Sequence, residues 1–323
     1  MLKMKVLVFL TGFCALGVVF AQSPDAFMIV TNPGEDSSVE MRISWHTDLG
    51  VDGSFVECTK KSDASWANAR KIVGEHEVST AFDGVMSIVS STQGNFKQDI
   101  KFNHYKAVLS KLEPNTEYMY RVGKNVLSDT MHFKTAGTGE WTFVWVGDYH
   151  AYDPLPQRLN TAMDMIRTLI TANQGNVDFI FSTGDDVAYG GSYTYWKNLF
   201  AREYFRNYMW VTLIGNHDHM DRTNSDNRDD YYLAMHNNPP NGYAGQEGAS
   251  YWFKYGNVLW IVFNSMELTN AAKISKSQEW AAKVIRQNPV QYIFVAQHYQ
   301  WFNGITGNYN SAGFTQWNAF FDK

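Results

Sequence analysis

Four short clusters of oxygen and imidazole donors stand in the second half of the sequence. They are Gly147-Asp148-Tyr149-His150, Gly184-Asp185-Asp186-Val187-Ala188-Tyr189, Gly215-Asn216-His217-Asp218-His219 and Gln297-His298. Carboxylates, an amide oxygen, a phenol and imidazoles are hard-to-borderline donors suited to Fe, Mn or Zn, and together they are too numerous for one ion. A centre holding two metal ions is the simplest use of such a set. Taken singly, each cluster has a plainer reading. An aspartate after a strand is most often a turn or cap residue, and His298 by itself is an ordinary structural histidine. The case for chemistry rests on the four occurring together, each in the same local context.

That context is a strand running straight into each cluster. The apolar runs 141–146, 177–182, 210–214 and 292–295 end at Gly147, Gly184, Gly215 and Gln297-His298 respectively. Glycine lets the chain turn sharply and approach closely, so the donors that follow can be delivered to one point above a sheet edge. Between these strands lie helical patterns at 156–172, 196–208 and 276–287, with Leu159, Met163, Ile166, Leu169 and Ile170 forming one apolar stripe. Two further strands are expected at 251–253 and 258–263, and 237–248, rich in Gly, Pro and Asn, reads as a long loop. Strand and helix in alternation predict an α/β layer structure whose ligands gather at the carboxyl ends of the strands.

The first half has a different rhythm. Short strands are predicted at 27–30, 41–45, 54–57, 105–109, 117–122 and 130–134, with no run of helical periodicity. This predicts an all-β sandwich, and Leu112-Glu113-Pro114-Asn115-Thr116-Glu117-Tyr118-Met119-Tyr120-Arg121-Val122 resembles a turn and strand of fibronectin type III domains. The rhythm changes at Ala136-Gly137-Thr138-Gly139, giving a sandwich at 22–137 and an α/β unit at 138–323.

With strand context at each step, the order Gly-Asp, Gly-Asp-(Asp)-x-x-Tyr, Gly-Asn-His-Asp, x-x-His resembles the metallophosphoesterase superfamily, and within it the purple acid phosphatases. The resemblance covers nearly all the chain after residue 21, because a fibronectin-like unit ahead of the phosphoesterase unit is the layout of the large plant and bacterial-type enzymes. It implies a calcineurin-like metallophosphoesterase β-sandwich flanked by helices. It also implies two metal ions, Fe with Zn, Mn or Fe, acting on a small phosphorylated substrate. Asp148 would bind the first metal and an aspartate of the second cluster would bridge. Asn216 and His298 would bind the second metal, Tyr189 would bind ferric iron and give colour, and His217 would stabilise or protonate the reacting oxygens.

The sequence departs from the family pattern in four places. The Gly-Asp pair selects Asp185 as the bridge, whereas the spacing to Tyr189 selects Asp186, towards which the reading leans. His150 completes the Asp-x-His of the wider superfamily, so either His150 or Tyr189 is redundant. No histidine follows His298, which leaves His217, or His219 by adjacency, as the acid for the leaving group. The closing Gly-His-x-His is absent, which reads as a chain truncated at its carboxyl end, with an incomplete phosphoesterase unit.

Composition narrows the classes. The chain has 323 residues, 45% of them apolar and 18% charged, which excludes a disordered protein. Residues 1–21 have Lys3 and Lys5, then an apolar run and a Val-Phe-Ala ending, as in a cleaved secretory signal. Removing them takes the formal charge from −5 to −7, which disfavours a nucleic-acid surface. The expectation is a secreted or periplasmic protein with no membrane segment after cleavage. Cys58 is then the only cysteine, so stability comes from core burial or metal. The function predicted is hydrolysis of phosphate monoesters. The alternatives are a phosphodiesterase or nucleotide hydrolase, and an inactive remnant acting as a binding protein. Asp221, Asp226, Asp229 and Asp230 read as a solvated loop face, and Trp196, Trp210, Trp252 and Trp260 as core.

Overall fold

The computed structural model describes residues 23–84, 96–153, 155–220, 228–300 and 311–322. The expected signal at 1–21, and Asp221 and Asp226, lie outside the described residues.

Among the described residues, eight strands form the first half: β1 Ala26–Pro33, β2 Met41–Thr47, β3 Phe55–Lys60, β4 Arg70–Val73, β5 Glu75–Gly84, β6 Phe96–Leu109, β7 Glu117–Gly123 and β8 Met131–Lys134. They pair antiparallel as two sheets, ordered β1-β2-β6-β5 and β4-β3-β7-β8. Ile43, Trp45, Val56, Tyr105, Tyr120, Val122 and Phe133 are buried between them. Trp45 stacks on Tyr105 at 5.3 Å between ring centroids and donates its Nε1–H to Ser54 Oγ. In the Leu112–Tyr118 turn the backbone N–H of Glu113 donates to Tyr118 Oη at 2.8 Å. Strands β4 and β5 have no counterpart in the sequence pattern, because Arg70, Lys71, Val73, Glu75, His76, Glu77 and Val78 are all exposed and no alternation marks them.

The second half contains β9 Phe143–Val146, α1 Gln157–Ala172, β10 Phe179–Ser182, α2 Tyr193–Phe200, α3 Tyr204–Asn207, β11 Met209–Thr212, α4 Asn216–His219 and α5 Asp230–Met235. It continues with β12 Tyr251–Tyr255, β13 Val258–Val262, α6 Ala271–Gln287, β14 Tyr292–Ala296 and α7 Ser311–Phe321. One sheet is parallel, ordered β11-β10-β9. The other is ordered β12-β13-β14, antiparallel then parallel. Their inner faces meet where Trp260 packs edge-on against Phe143 and Phe179, at 5.5 and 5.8 Å. β10 is buried at every position, which explains its unbroken apolar run.

The single helix expected at 196–208 is two, α2 and α3. Phe200 and Phe205 both enter the core with ring centroids 5.0 Å apart, and five residues of continuous helix would turn one of them away. Trp196, Trp210 and Trp260 are buried as expected, and Trp252 is partly buried against α6.

The halves are bonded directly to each other. Asn32 Nδ2 donates to the Trp210 carbonyl, and Asn237 donates from Nδ2 to the Ile43 and Ala107 carbonyls. Tyr120 Oη donates to the Arg206 carbonyl and Lys106 Nζ to the Leu233 carbonyl. These contacts hold the sandwich sheet of β1 and β2 against β11 and the loop after α5.

Candidate metal centre

The three strands β9, β10 and β11 lie in register, so the residues after them emerge side by side. Backbone bonds then stitch the emerging loops together: Asp148 N–H to the Gly184 carbonyl, His150 N–H to Asp185, and Ala151 N–H to Asp186. Three donors sit in the left-handed region, Asp148 at φ 55°, His150 at 44° and Asp185 at 55°. Such backbone costs about 1–3 kcal/mol per residue and persists only where neighbours hold it.

Asp185 is the meeting point. Its carboxylate, with His150 and His217, forms one group of donor atoms within 4.8 Å of one another, and with Asp148 and His298 it forms a second. His150 Nε2 lies 3.6 Å from Asp185 Oδ2, and His298 Nε2 lies 3.5 Å from Asp185 Oδ1. Asn216 Oδ1 is 3.2 Å from the same His298 nitrogen, so Asn216 joins the second group.

The imidazoles are oriented from behind. His298 Nδ1 is 2.8 Å from the Thr183 carbonyl and His217 Nδ1 is 2.8 Å from the Ala188 carbonyl. A carbonyl only accepts, so each Nδ1 carries a proton and each Nε2 is the nitrogen turned to the site, the orientation a metal ligand uses. Burial, together with neighbouring His217, Arg158 and His298, pulls His150 down to about 4, so its ring is neutral over the ordinary pH range. Burial raises the Asp185 carboxyl, against the pull of His298 and His217. Imidazoles on two sides thus share one desolvated carboxylate. A pair of metal ions fits that donor set.

Asp186 is placed differently. The structure turns it away from both groups, and its carboxylate accepts from Ser182 Oγ and, at 3.1 Å, from Thr212 Oγ1. Burial in the core pushes its carboxyl up to about 6. Tyr189 is buried with its ring edge-on to His217 at 6.4 Å, and burial raises its phenol. His219 is in neither group, and its Nδ1 is 2.5 Å from Asp229 Oδ1. Asp229 in turn accepts from Asn264 Nδ2 at 3.0 Å, so it is not the solvated residue expected. Asp230 is exposed and paired with Arg228.

The sequence reading passed over the Thr183 and Ala188 carbonyls, which have no side-chain signature, and Asp218, which is fully buried.

Residues 142–323 match the family model for the calcineurin-like phosphoesterase, and residues 27–135 match that for the purple acid phosphatase, N-terminal domain. Among solved structures, the purple acid phosphatase PPD1 from yellow lupin (Lupinus luteus) seeds is 19% identical, with a TM-score of 0.61 over 84% of this chain and 51% of its own. The chain therefore spans about half the length of that protein. The fn3 domain of human contactin 1 is 18% identical over 41% of this chain and 99% of its own, with a TM-score of 0.22. No curated protein sequence matches. With its phosphoesterase unit matched over residues 142–323, the chain belongs to the calcineurin-like phosphoesterase family, behind an amino-terminal unit of the purple acid phosphatase kind.

Proposed function

We propose that this protein is a metal-dependent phosphomonoesterase of the acid phosphatase kind. The observation that carries the reading is the single carboxylate of Asp185 shared by two donor groups, His150 with His217 and Asp148 with His298. Two metal ions bound there would polarise the phosphoryl oxygens and supply a nucleophile drawn from water near neutral pH.

The chain's own residues would divide the remaining work. Asp148, His150, Asp185, Asn216 and His298 would hold the metals, and the carboxylate charge of Asp185 would offset the repulsion between them. The Ala188 carbonyl accepts from His217 Nδ1, which leaves Nε2 facing the site, and through Nε2 a ring protonated at both nitrogens would steady the phosphoryl group or hand a proton to the leaving oxygen. A general acid of this kind contributes about 10²–10⁴-fold. The signal-like residues 1–21 support export, which suits a hydrolase acting on small phosphate esters outside the cytoplasm.

The test is hydrolysis of p-nitrophenyl phosphate beside its bis-ester by the chain reloaded with Fe, Zn or Mn, in wild type, Asn216→Ala and His217→Ala. The proposal expects the monoester to be the faster substrate and both variants to lose most of that rate. Wild-type rates in both variants would sink it, and preference for the diester would move the chain to the phosphodiesterases.

A further inference from the structure

Asp185 can serve two donor groups only if its main chain stays at φ 55°, a conformation that a non-glycine residue leaves when nothing holds it. Asp218 bonds that main chain directly. This carboxylate is fully buried, belongs to neither donor group, and accepts three backbone N–H bonds. The donors are Asp185 at 2.7 Å and Gly215 at 3.0 Å, both to Oδ2, and Val187 at 3.1 Å to Oδ1. Two of these belong to the loop after β10 and one to the loop after β11, so one side chain fastens both loops. The return contact comes from the neighbouring residue, as His217 N–H donates to Asp185 Oδ1 at 2.8 Å. The loops are also pressed together at Gly190, where a Cβ would lie 1.8 Å from the Asp218 carbonyl oxygen.

We propose that Asp218 is a positioning residue for the metal centre. It acts through Asp185 and Gly215, fixing the shared carboxylate between His150 and His298 and setting where Asn216 and His217 begin. The inference rests on the metal-dependent reading above and assigns to Asp218 no contact with metal or substrate. An asparagine at 218 is nearly isosteric, but it replaces one acceptor oxygen by an NH₂ that would face a backbone N–H. Asp186 provides the comparison, being an equally buried carboxylate, in the loop after β10, that accepts from the Ser182 and Thr212 hydroxyls.

The experiment titrates the chelator-stripped full chain with Co²⁺, following affinity by calorimetry and coordination by visible absorption. Asp218→Asn is expected to weaken Co²⁺ binding about 10–100-fold and to change the absorption spectrum, the scale on which residues supporting metal ligands act. Asp186→Asn is expected to lower Tm while leaving affinity and spectrum as in wild type. A lower Tm with unchanged Co²⁺ affinity and spectrum in Asp218→Asn would overturn the proposal, as would equal weakening by Asp186→Asn. If Asp218→Asn does not fold, amide hydrogen exchange of the metal-free wild type decides. Protection of the Asp185, Val187 and Gly215 amides equal to that of β10 supports the strap, and fast exchange removes it. Failure of the wild type to bind Co²⁺ would defeat the metal reading of the site, and the amide exchange would then still decide the strap by itself.

Discussion

Asp185 and Asp186 are consecutive residues with carboxylates in different surroundings. Asp185 faces His150, His217, Asp148 and His298, and Asp186 is bonded to Ser182 and Thr212 in the core. Their roles therefore separate by mutation. Asp186→Asn should cost about 1–3 kcal/mol, the scale of a disturbed buried hydrogen-bond group, and should keep phosphatase activity. Urea denaturation and monoester turnover on the same preparation check this, and loss of turnover without loss of stability would return the bridging role to Asp186.

Gly215 must lack a side chain. A Cβ there would stand 2.1 Å from Asp185 Oδ1 and 2.3 Å from its backbone nitrogen, so Gly215→Ala has to displace the shared carboxylate. The variant should fold, because the sheets beneath it are untouched, and should bind Zn²⁺ at least about 10-fold more weakly. Calorimetry against wild type measures this, and equal affinities would show that the loop absorbs the methyl group without moving Asp185.

His150 and Tyr189 make opposite predictions about the first metal. Because His150 stands in the donor group with Asp185 and His217, His150→Ala should lose one ion per chain, while Tyr189→Phe should keep both. The iron-loaded wild type should also lack a strong visible charge-transfer band. A purple protein whose colour disappears in Tyr189→Phe would assign the ligand to the phenol instead.

Stability should fall on acidification for reasons remote from the metals. Between the sandwich and the second half, burial holds His46 at about 3, His236 at about 3 and His104 at about 4, all below the ordinary 6.5. His46 Nδ1 meets Tyr193 Oη at 3.1 Å, and His236 is packed by Trp196 and Phe200. Below pH 6.5 the unfolded chain takes up protons that these folded rings refuse. The stability they confer is thus complete above 6.5 and is lost as pH falls towards their folded values. Each fully buried ring contributes about 1.4 kcal/mol per pH unit within that window. Imidazole NMR of the metal-free chain between pH 7 and 5 should show the His46 and His236 rings neutral throughout, and rings that take up protons near 6.5 would contradict their burial.

Much of this was readable from sequence because the strands are local signals. The apolar runs before Gly147, Gly184 and Gly215, and the donors after them, needed no tertiary information. Strands β4 and β5 could not be found that way, since their exposed Lys71, Glu75 and Glu77 carry no alternation, and pairing with β3 and β6 makes them strands. The choice between Asp185 and Asp186 also escaped spacing arguments. What distinguishes them is tertiary, since Ser182 and Thr212 bond the Asp186 carboxylate across the gap between β10 and β11. Asp229 looked solvated within an acidic run, and only the fold brings His219 and Asn264 to it.

The central claim is that Asp185 joins two metal subsites, and metal stoichiometry tests it most directly. The full chain and Asp185→Ala would be stripped, reloaded with Zn²⁺ or Mn²⁺, freed of excess ion and assayed by elemental analysis. The account predicts two ions per wild-type chain and at most one in the variant. Fewer than one ion in the wild type, or two in both proteins, would contradict it.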